Sequence, residues 1–468
     1  MQICERNKPV SVNYPNVSGV FPHLAQVSDL GPPRTECGVG ALMPWAGKLY
    51  VQNYNSHKER SGRGVSLRRI HEDLSMEIVP ETLGVDGTYT NRFVHFESNQ
   101  IVIGPHVIDA NHRIRTVKEL QPLRVCGTTW HMTDKNKVYV LAMEGELFEL
   151  NMTTLECVQV ADLQKELSTE KEGMVHFKDL YCHFGKLVVC SNEYNENDWK
   201  GTRSQGRLAE FDGKTWTIID RKPFIGFGGR GTFCETIFAN GWDQASAILK
   251  VWTKPDNKWT TYRLPKASHC FDHKWQTEWP RIREVEHERF LMDHHGMFYE
   301  LSPWAYGGRV WGIKPISTHL WVHGDFCSWR GMLVLGADNA SPSNGENPTT
   351  AEPQSGLWMG KTDDLWNFGK PSGWGGPWWE TPVAANAPSD PYLMTGFEHK
   401  CIHLKHTAGM HVNFHIELDF MGHGQFERYA TLGTDRYAVH TFPSGLSAHW
   451  VRVVADTDCT ATAQLHYT

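Results

Sequence analysis

Six side chains that can transfer protons or bind a carboxylate lie where short strands of this sequence are expected to begin or end. His106 and Arg207 directly precede the strand segments VIDANHRIRTV and LAEFDGKTWTII, and Tyr194 ends KLVVCSNEY. Three further histidines lie at expected strand starts, in TTWHMTD, MVHFKDL and KASHCFDH: His131, His176 and His269. Histidine titrates near neutral pH, whereas arginine keeps its charge and binds carboxylates through paired hydrogen bonds. The set suits proton transfer beside a bound carboxylate.

The reaction that suits these residue types is β-elimination at a 4-linked uronate sugar. An arginine and a histidine of this set would bind the carboxylate and stabilise the enolate-like transition state that forms when C5 loses its proton. A histidine or the tyrosine would take that proton, and another of these residues would protonate the departing O4. A tyrosine base needs a neighbouring cation, because its ordinary pKa is about 10. The sequence leaves open which residue is base and which is acid, and whether His176 replaces His131.

A second group of residues has the composition of a metal site. The segment HLWVHGDFC places His319, His323, Asp325 and Cys327 at alternating strand positions, and His273 and His294–His295 belong to the preceding repeat. Nitrogen and thiolate ligands suit a closed, structural Zn²⁺ site, so zinc is expected rather than calcium, and no organic cofactor is expected. The predicted ligands are His273, His295, His319 and Cys327. The alternative is a polar seam with a buried free cysteine.

Strands must position these residues, because helical periodicity is confined to residues 161–171. A pair of strands joined by a polar turn recurs seven times, starting at Val65, Val107, Leu147, Leu208, Ile248, Met297 and Leu357. The starts are spaced by roughly the 40–50 residues of a four-stranded propeller blade. We predict an all-β protein with a seven-bladed β-propeller over residues 1–380. A small β-sandwich is predicted over residues 381–468, where alternation is strong.

Propeller geometry brings the candidate residues together. Within a blade of strands A to D, the D-to-A and B-to-C connections open on one face. Residues that start an A strand, end a B strand or start a C strand therefore converge near the axis. The chain has 25 histidines, so several will lie at such positions without a function. The prediction consequently rests on the shared face and not on any single residue.

Composition excludes several classes of function. The chain of 468 residues has 46 basic and 53 acidic residues and a net charge of −7, which argues against nucleic-acid binding by phosphate attraction. No apolar run approaches the ~18 residues of a membrane span. The N-terminal residues lack an apolar signal core, so a signal peptide is either absent or already removed. We expect a secreted or periplasmic protein whose signal peptide is absent from this chain.

Two further patterns have limited meaning. Eleven cysteines are an odd number, so a complete set of disulfides is impossible. The segment GFGGRG at residues 226–231 matches the GxGxxG spacing of dinucleotide-binding loops. The following TFCETIFANGW reads as a strand and turn instead of a helix, so a dinucleotide site is not expected.

Long phrases of the sequence resemble the propeller-type polysaccharide lyases. They include IGPHVID, GRLAEFDGKTWTI, ASHCFDHKWQTEWPRIREVE, LMDHHGMFYEL and PISTHLWVHGDFCSWRGMLVLG. This group contains ulvan lyases and lyases that remove L-rhamnose from glucuronate, together with related α-L-rhamnosidases. The resemblance implies a seven-bladed propeller and, in some members, a bound metal. It also implies a catalytic His pair at His106 and His131, with Tyr194, Arg207 and a carboxylate-binding His269.

Three functions follow from these observations. The first is a lyase that cleaves the L-rhamnose-(α1,4)-D-glucuronate bond, or a related 4-linked uronate bond, in an acidic polysaccharide and leaves a 4,5-unsaturated uronate. The second is an α-L-rhamnosidase that hydrolyses terminal rhamnose on glucuronate. The third is a propeller that binds carbohydrate without turnover, which the 19 tryptophans would equally serve.

Overall fold

The computed structural model describes residues 19–21, 37–55, 67–82, 91–169, 174–194, 206–230, 234–267, 280–305, 307–319, 323–337 and 357–468. The chain is nearly all-β, and at this level the predicted fold class is confirmed. A helical segment was predicted over 161–171, and the described part of it contains a short helix, α1 (Leu163–Glu166). Asp162 caps α1 by accepting a hydrogen bond from Gln164 N.

Seven four-stranded antiparallel units succeed one another along the described chain, after the short strand β1 (Gly19–Phe21), and each is called a sheet here although the fifth belongs to an eight-stranded sheet. Sheet 1 contains β2 (Cys37–Trp45), β3 (Lys48–Asn55), β4 (Arg68–Ile70) and β5 (Met76–Ile78). Sheet 2 contains β6 (Arg92–His95), β7 (Gln100–Ile103), β8 (His106–Asp109) and β9 (Ile114–Thr116). Sheet 3 contains β10 (Val125–Trp130), β11 (Lys137–Ala142), β12 (Glu146–Asn151) and β13 (Cys157–Asp162).

The remaining sheets follow the same order. Sheet 4 contains β14 (Met174–His183), β15 (Lys186–Tyr194), β16 (Gly206–Phe211) and β17 (Trp216–Asp220). Sheet 5 contains β18 (Phe224–Gly229), β19 (Thr236–Trp242), β20 (Ala247–Thr253) and β21 (Lys258–Leu264). Sheet 6 contains β22 (Arg281–Glu286), β23 (Arg289–His294), β24 (Met297–Leu301) and β25 (Lys314–Thr318). Sheet 7 contains β26 (His323–Trp329), β27 (Met332–Ala337), β28 (Leu357–Gly360) and, as its outermost strand, β1.

Sheet 7 differs from the sequence prediction, which expected a hairpin from Leu357. Its outer strand comes from the other end of the chain, since β1 pairs with β28 through Gly19↔Met359 and Phe21↔Leu357. The segment expected to form that strand is instead a 3-10 helix, Thr362–Asn367. The Asp364 carboxylate accepts a hydrogen bond from Lys361 N at 2.9 Å, which favours a turn at this point. The backbone hydrogen-bonding groups at this edge of β28 are therefore paired by a segment from the other end of the chain.

The first strands of the seven sheets contact one another in chain order. They are β2, β6, β10, β14, β18, β22 and β26, and β26 also contacts β2. Five of them carry an irregularity in the pairing near their start, between residues 39 and 41, 125 and 127, 177 and 179, 224 and 226, and 323 and 325. The repeated bulge gives Ala41, Gly127, Asp179, Gly226 and Asp325 equivalent positions in their strands.

The C-terminal strands form two more layers. They are β29 (Gly373–Val383), β30 (Tyr392–Leu393), β31 (Lys400–His406), β32 (Val412–Asp419), β33 (Glu427–Thr434), β34 (Tyr437–Thr441), β35 (Trp450–Ala455) and β36 (Cys459–Tyr467). One sheet has the order β29-β36-β31-β34, and β29 crosses the predicted boundary at residue 381. The other, β30-β35-β32-β33, continues sheet 5, because Tyr392 pairs with Arg263 in parallel. Buried residues of sheets 5 and 6 and of both C-terminal layers form one hydrophobic cluster.

Arg263 joins sheet 5 to the C-terminal layers through its guanidinium group and its backbone. Its Nη1 and Nη2 donate to the two oxygens of Asp243 at 2.9 Å each, and its Nε donates to Asp390 at 2.9 Å. Its backbone N–H donates to Pro391 O at 2.8 Å. Burial alone would raise the pKa of Asp243, but Arg263 and Lys222 hold it well below its ordinary value.

Replacing Asp243 by asparagine is expected to lower the free energy of unfolding by about 3–5 kcal/mol, because a buried guanidinium loses its main counter-charge. Asp390→Asn is the matched control, since that carboxylate is 40% exposed and its loss should cost at most about 1 kcal/mol. Urea unfolding at neutral pH measures both values. The Asp243 contribution is present above the unfolded-state pKa near 4 and should fade as the pH falls below it. Equal losses for the two variants would contradict this account.

Two further findings concern disulfides and membrane-spanning helices. The described cysteines form no disulfide among themselves: Cys126, Cys157, Cys182, Cys190, Cys234, Cys327, Cys401 and Cys459. In the part of the chain that the structure describes, no helix has the length and apolar character needed to cross a bilayer.

Candidate active site

Several of the sequence-predicted residues lie at one edge of the sheets. We call this edge the upper face: here first strands begin, second strands end and third strands begin. His106 is the first residue of β8, Arg207 the second residue of β16, and Tyr194 the last residue of β15. Only the backbone of Tyr194 is described, and His269 lies outside the described residues. Sequence reasoning had assigned these strand positions to His106, Arg207 and Tyr194.

His106 is held in a buried, neutral environment. It follows the Gly104–Pro105 turn, in which Gly104 adopts a φ of 56°. Its side chain is fully buried, and its Nδ1 lies 3.0 Å from Thr116 Oγ1. Its Nε2 is buried without a hydrogen-bond partner among the described residues. Burial lowers the pKa of His106 to about 4, so the ring is neutral at neutral pH.

Arg207 is buried beside the second strand of its own sheet. It pairs with Ser191, and its Nη1 donates to Gly206 O at 2.7 Å. Gly206 allows this arrangement, because a Cβ there would lie 2.5 Å from Ser191 O and from the Cα of Pro223. The buried guanidinium therefore lies near the upper end of sheet 4, where β15 ends at Tyr194.

His176 also lies on the upper face, as the third residue of β14. Its Nε2 is 3.4 Å from Arg124 Nη2, and the Nε of Arg124 is 3.1 Å from Glu144 Oε1. Arg124 and Glu144 belong to the loops at the upper end of sheet 3. This end of the molecule thus combines imidazole, guanidinium and carboxylate groups from neighbouring sheets.

The expectation that His131 starts a first strand is wrong. Strand β10 ends at Trp130, so His131 lies at the opposite edge of the sheets, which we call the lower face. Its Nε2 is 3.1 Å from Glu149 Oε1, its Nδ1 accepts a hydrogen bond from Asp134 N at 2.9 Å, and its ring stacks on Tyr139. The error arose because the strand begins at Val125, and the residues before the histidine are its end and not a loop. His176 occupies the kind of position that sequence reasoning had given to His131.

The structure groups three metal-ligating side chains at the upper ends of sheets 6 and 7. Asp293, His319 and His323 have donor atoms that all lie within 4.8 Å of one another. Asp293 Oδ1 is 3.0 Å from His319 Nε2, and its Oδ2 is 2.6 Å from His323 Nδ1. Burial alone would raise the pKa of Asp293, but the two imidazoles hold it well below its ordinary value. Two nitrogen donors and one oxygen donor in a buried position are suited to Zn²⁺.

The predicted ligand set is only partly brought together, because His319 joins this cluster and two other members do not. His295 has a positive φ of 51° in the turn after β23, and its Nδ1 lies 2.9 Å from His294 Nδ1. Cys327 packs among apolar side chains of sheets 1 and 7, where burial raises the pKa of its thiol to about 12. The bulge between His323 and Asp325 breaks the alternation on which the prediction relied. His273 lies outside the described residues.

Asp293 and His323 are the members of this cluster that the predicted ligand set lacked. The one local signal was the phrase MDHHG, which places a carboxylate at the end of the second strand of sheet 6. Asp325, which shares the HGDFC phrase, instead pairs with Arg283 and Arg92, with Nε-to-oxygen distances of 2.9 Å in both pairs.

Comparison with known proteins found similarity in structure but not in sequence. No family model matches the chain, and no curated protein sequence matches it. The WD40 repeats of RRP9 are 8% identical, with a TM-score of 0.43 over 71% of this chain and 99% of the other. The β-propeller domain of Myceliophteria thermophila Cps50 (Swd1) is 10% identical, with a TM-score of 0.41 over 72% and 100% of the two chains. A luciferin-regenerating enzyme is 9% identical, with a TM-score of 0.38 over 74% and 96%.

Proposed function

We propose that the seven sheets are the blades of a closed β-propeller and that the C-terminal strands form a β-sandwich against it. Support comes from the chain-order contacts of the first strands and from the contact of β26 with β2. The pairing of β1 with β28 supports closure, because it joins the two ends of the repeat region in one blade. The upper face is then one end of the propeller axis.

We propose that the protein is a polysaccharide lyase that cleaves a 4-linked uronate by β-elimination, with rhamnose-(α1,4)-glucuronate as the preferred bond. The observation that carries the proposal is the buried, neutral His106, whose Nε2 has no partner among the described residues. Arg207 occupies the corresponding strand start two sheets further along. A neutral imidazole and a guanidinium are the groups that proton abstraction beside a carboxylate requires.

In this reaction Arg207 binds the uronate carboxylate and stabilises the negative charge that develops when C5 loses its proton. His106 accepts that proton at Nε2, since a ring with a lowered pKa is already neutral at working pH. The C4–O4 bond breaks, its electron pair goes to O4, and an acid, assigned here to Tyr194, protonates O4. The products are a free sugar hydroxyl and a uronate with a C4=C5 double bond.

A substrate screen tests the proposal. The purified chain is incubated with ulvan, gum arabic and glucuronan, and the products are followed by ultraviolet absorbance and mass. Elimination gives a conjugated product that is lighter by one water than the hydrolysis product. Rhamnose release without that absorbance would establish hydrolysis, and binding without product on all three polymers would establish a non-catalytic propeller. Either result overturns the lyase proposal.

His176→Gln and His131→Gln form a matched pair that tests which face is catalytic. We expect His176→Gln to lower kcat/KM on the best substrate by at least about tenfold, because it lies beside Arg124 on the upper face. His131→Gln should retain turnover within about twofold, because its ring lies at the opposite edge. Initial rates of unsaturated product measure both. The reverse ranking would place the chemistry on the lower face.

We also propose that Asp293, His319 and His323 bind one structural Zn²⁺. Their mixed nitrogen and oxygen donors and their burial support a structural role, and the ion would supply a cross-link between sheets 6 and 7. Two of the donor contacts have hydrogen-bond lengths, so the side chains would separate slightly around an ion. A fourth ligand would come from outside the described residues or from water.

His323→Gln is expected to lower the zinc content of the purified protein from about one ion per chain to well below that value. Cys327→Ser is the control, because Cys327 lies in an apolar cluster away from the three donors. Elemental analysis by mass spectrometry gives the zinc content, and the thermal midpoint with and without a chelator gives its structural effect. Zinc that depends on Cys327 and not on His323 would contradict the proposed ligand set.

A further inference from the structure

The first strands enclose a cavity of about 350 Å³ that extends toward the lower face. Six aromatic side chains contribute to its wall: Phe93, Phe96, Trp130, Tyr181, Phe227 and Phe290. Trp130 is the last residue of β10, and Phe96 directly follows β6. Neither His106 nor Arg207 lines the cavity, although Arg92, the first residue of β6, lies at its upper end.

Glycines of the first strands make room for this cavity and set its shape. A Cβ on Gly229 would lie 2.7 Å from the hydroxyl of Tyr181, and one on Gly228 would lie 2.5 Å from Ile282. Both glycines belong to the GFGGRG segment, whose spacing resembled a dinucleotide loop. In the structure this segment is mostly strand β18, and its glycines allow neighbouring first strands to approach closely around the cavity.

Among the polar groups that line the cavity, three could bind a ligand between the aromatic rings. The Asp179 carboxylate accepts hydrogen bonds from Leu180 N at 2.9 Å and from Phe227 N at 3.0 Å, which leaves further acceptor capacity. Arg283 donates hydrogen bonds from its Nε to Asp325 and from its Nη1 to the backbone oxygen of Ile282. Its Nη2 has no hydrogen-bond partner among the described residues. The hydroxyl of Tyr181 is buried and likewise lacks one within the described part of the chain.

The arginines that line the cavity are already paired with a carboxylate. Arg92 and Arg283 both contact Asp325, and Asp179 and Glu284 add two negative charges to the lining. An anionic ligand would therefore gain little from the cavity as a whole. Aromatic walls suit the C–H face of a sugar ring, and a carboxylate beside a guanidinium and a phenol suits neighbouring hydroxyls that both donate and accept.

We propose that this cavity is a carbohydrate site for a single neutral pyranose residue, separate from the residues of the proposed lyase site. The ring would lie against Trp130 and Tyr181, with its hydroxyls bound by Asp179, Arg283 and the hydroxyl of Tyr181. The inference does not depend on the lyase proposal, because it uses none of the residues of that site.

The test is a titration of the full chain with L-rhamnose, D-glucose and D-mannose, followed by saturation-transfer NMR and calorimetry. We expect at least one neutral sugar to bind, and Tyr181→Phe to weaken that binding by about 3- to 10-fold, the loss of one neutral hydrogen bond. Tyr181→Phe should not lower the thermal midpoint, because the hydroxyl has no partner to lose among the described residues. Tyr429→Phe is the control, because that hydroxyl lies in the C-terminal layers near His440.

A second variant keeps the proposal testable if Tyr181→Phe misfolds. Asp179→Asn removes the charged acceptor and should weaken binding by about 10- to 100-fold. His403→Gln, in the C-terminal strand β31, should leave the sugar titration unchanged. The titration measures binding of a neutral monosaccharide and not turnover of a uronate polymer, so failure here and failure of the lyase proposal are distinguishable. The proposal is overturned if no neutral sugar binds below about 100 mM or if both cavity variants bind as the wild type does. Binding confined to anions, tested with D-glucuronate and benzoate, also overturns it.

Discussion

Replacing His106 by glutamine is expected to lower kcat/KM on the best uronate polymer by about 10²- to 10⁴-fold, the usual cost of losing a general base. Glutamine is uncharged and close to histidine in size, and His106 is itself neutral because burial lowers its pKa to about 4. The fold should therefore persist, since among the described residues the side chain of His106 makes one hydrogen bond, to Thr116. Initial rates of conjugated product, with circular dichroism of the same samples, measure the two effects separately.

The pH profile distinguishes a base from a merely structural histidine. If His106 accepts the C5 proton, kcat/KM of the wild type should fall as the pH drops through about 4, where the free ring becomes protonated. His403→Gln, in the C-terminal strand β31, is the matched control and should leave rate and profile unchanged. If His106→Gln turned over the substrate at the wild-type rate, the assignment of His106 as the base would be wrong.

Replacing Arg207 by glutamine is expected to lower kcat by about 10²- to 10³-fold, because a buried positive charge would no longer stabilise the transition state. The effect should depend on the substrate carboxylate. On a substrate whose uronate is methyl-esterified, the wild type has no carboxylate charge to neutralise, so the ratio of wild-type to variant rates should shrink. The measurement is kcat and KM for both substrates with both proteins.

The esterified substrate separates charge recognition from damage to the fold, which would lower both rates alike. Arg115→Gln is the control, because its side chain binds Gln100 and the backbone of Met152 and Thr153, away from the upper face. An equal loss on free acid and ester would contradict the assignment of Arg207 to the carboxylate.

Local sequence signals were sufficient for much of the candidate site. His106 follows a Gly-Pro turn and precedes an apolar strand, and Arg207 follows a glycine and precedes another, so each strand start could be read from adjacent residues. His131 was misplaced because TTW reads equally well as the start or the end of a strand. Whether TTW starts or ends the strand depends on the pairing of β10 with β11, and local residue types do not specify that pairing.

The metal-site prediction failed for a related reason. A strict alternation would put His323, Asp325 and Cys327 on one face, but an extra residue at Gly324 disturbs the register. Asp325 then pairs with Arg92 and Arg283, and Cys327 packs against sheet 1. Asp293 enters the cluster from the neighbouring sheet, and no spacing within one strand could have indicated that contact.

The sequence by itself determined the all-β class and the positions of most strands, because alternation, turn residues and strand ends are set by neighbours in the chain. Tertiary structure alone decided that β1 completes sheet 7, that Asp293 meets His319 and His323, and that the glycines of β18 lie beside a cavity. Each of these contacts joins residues far apart in the chain. Their formation depends on how whole sheets pack, and the local pattern of residue types does not specify that packing.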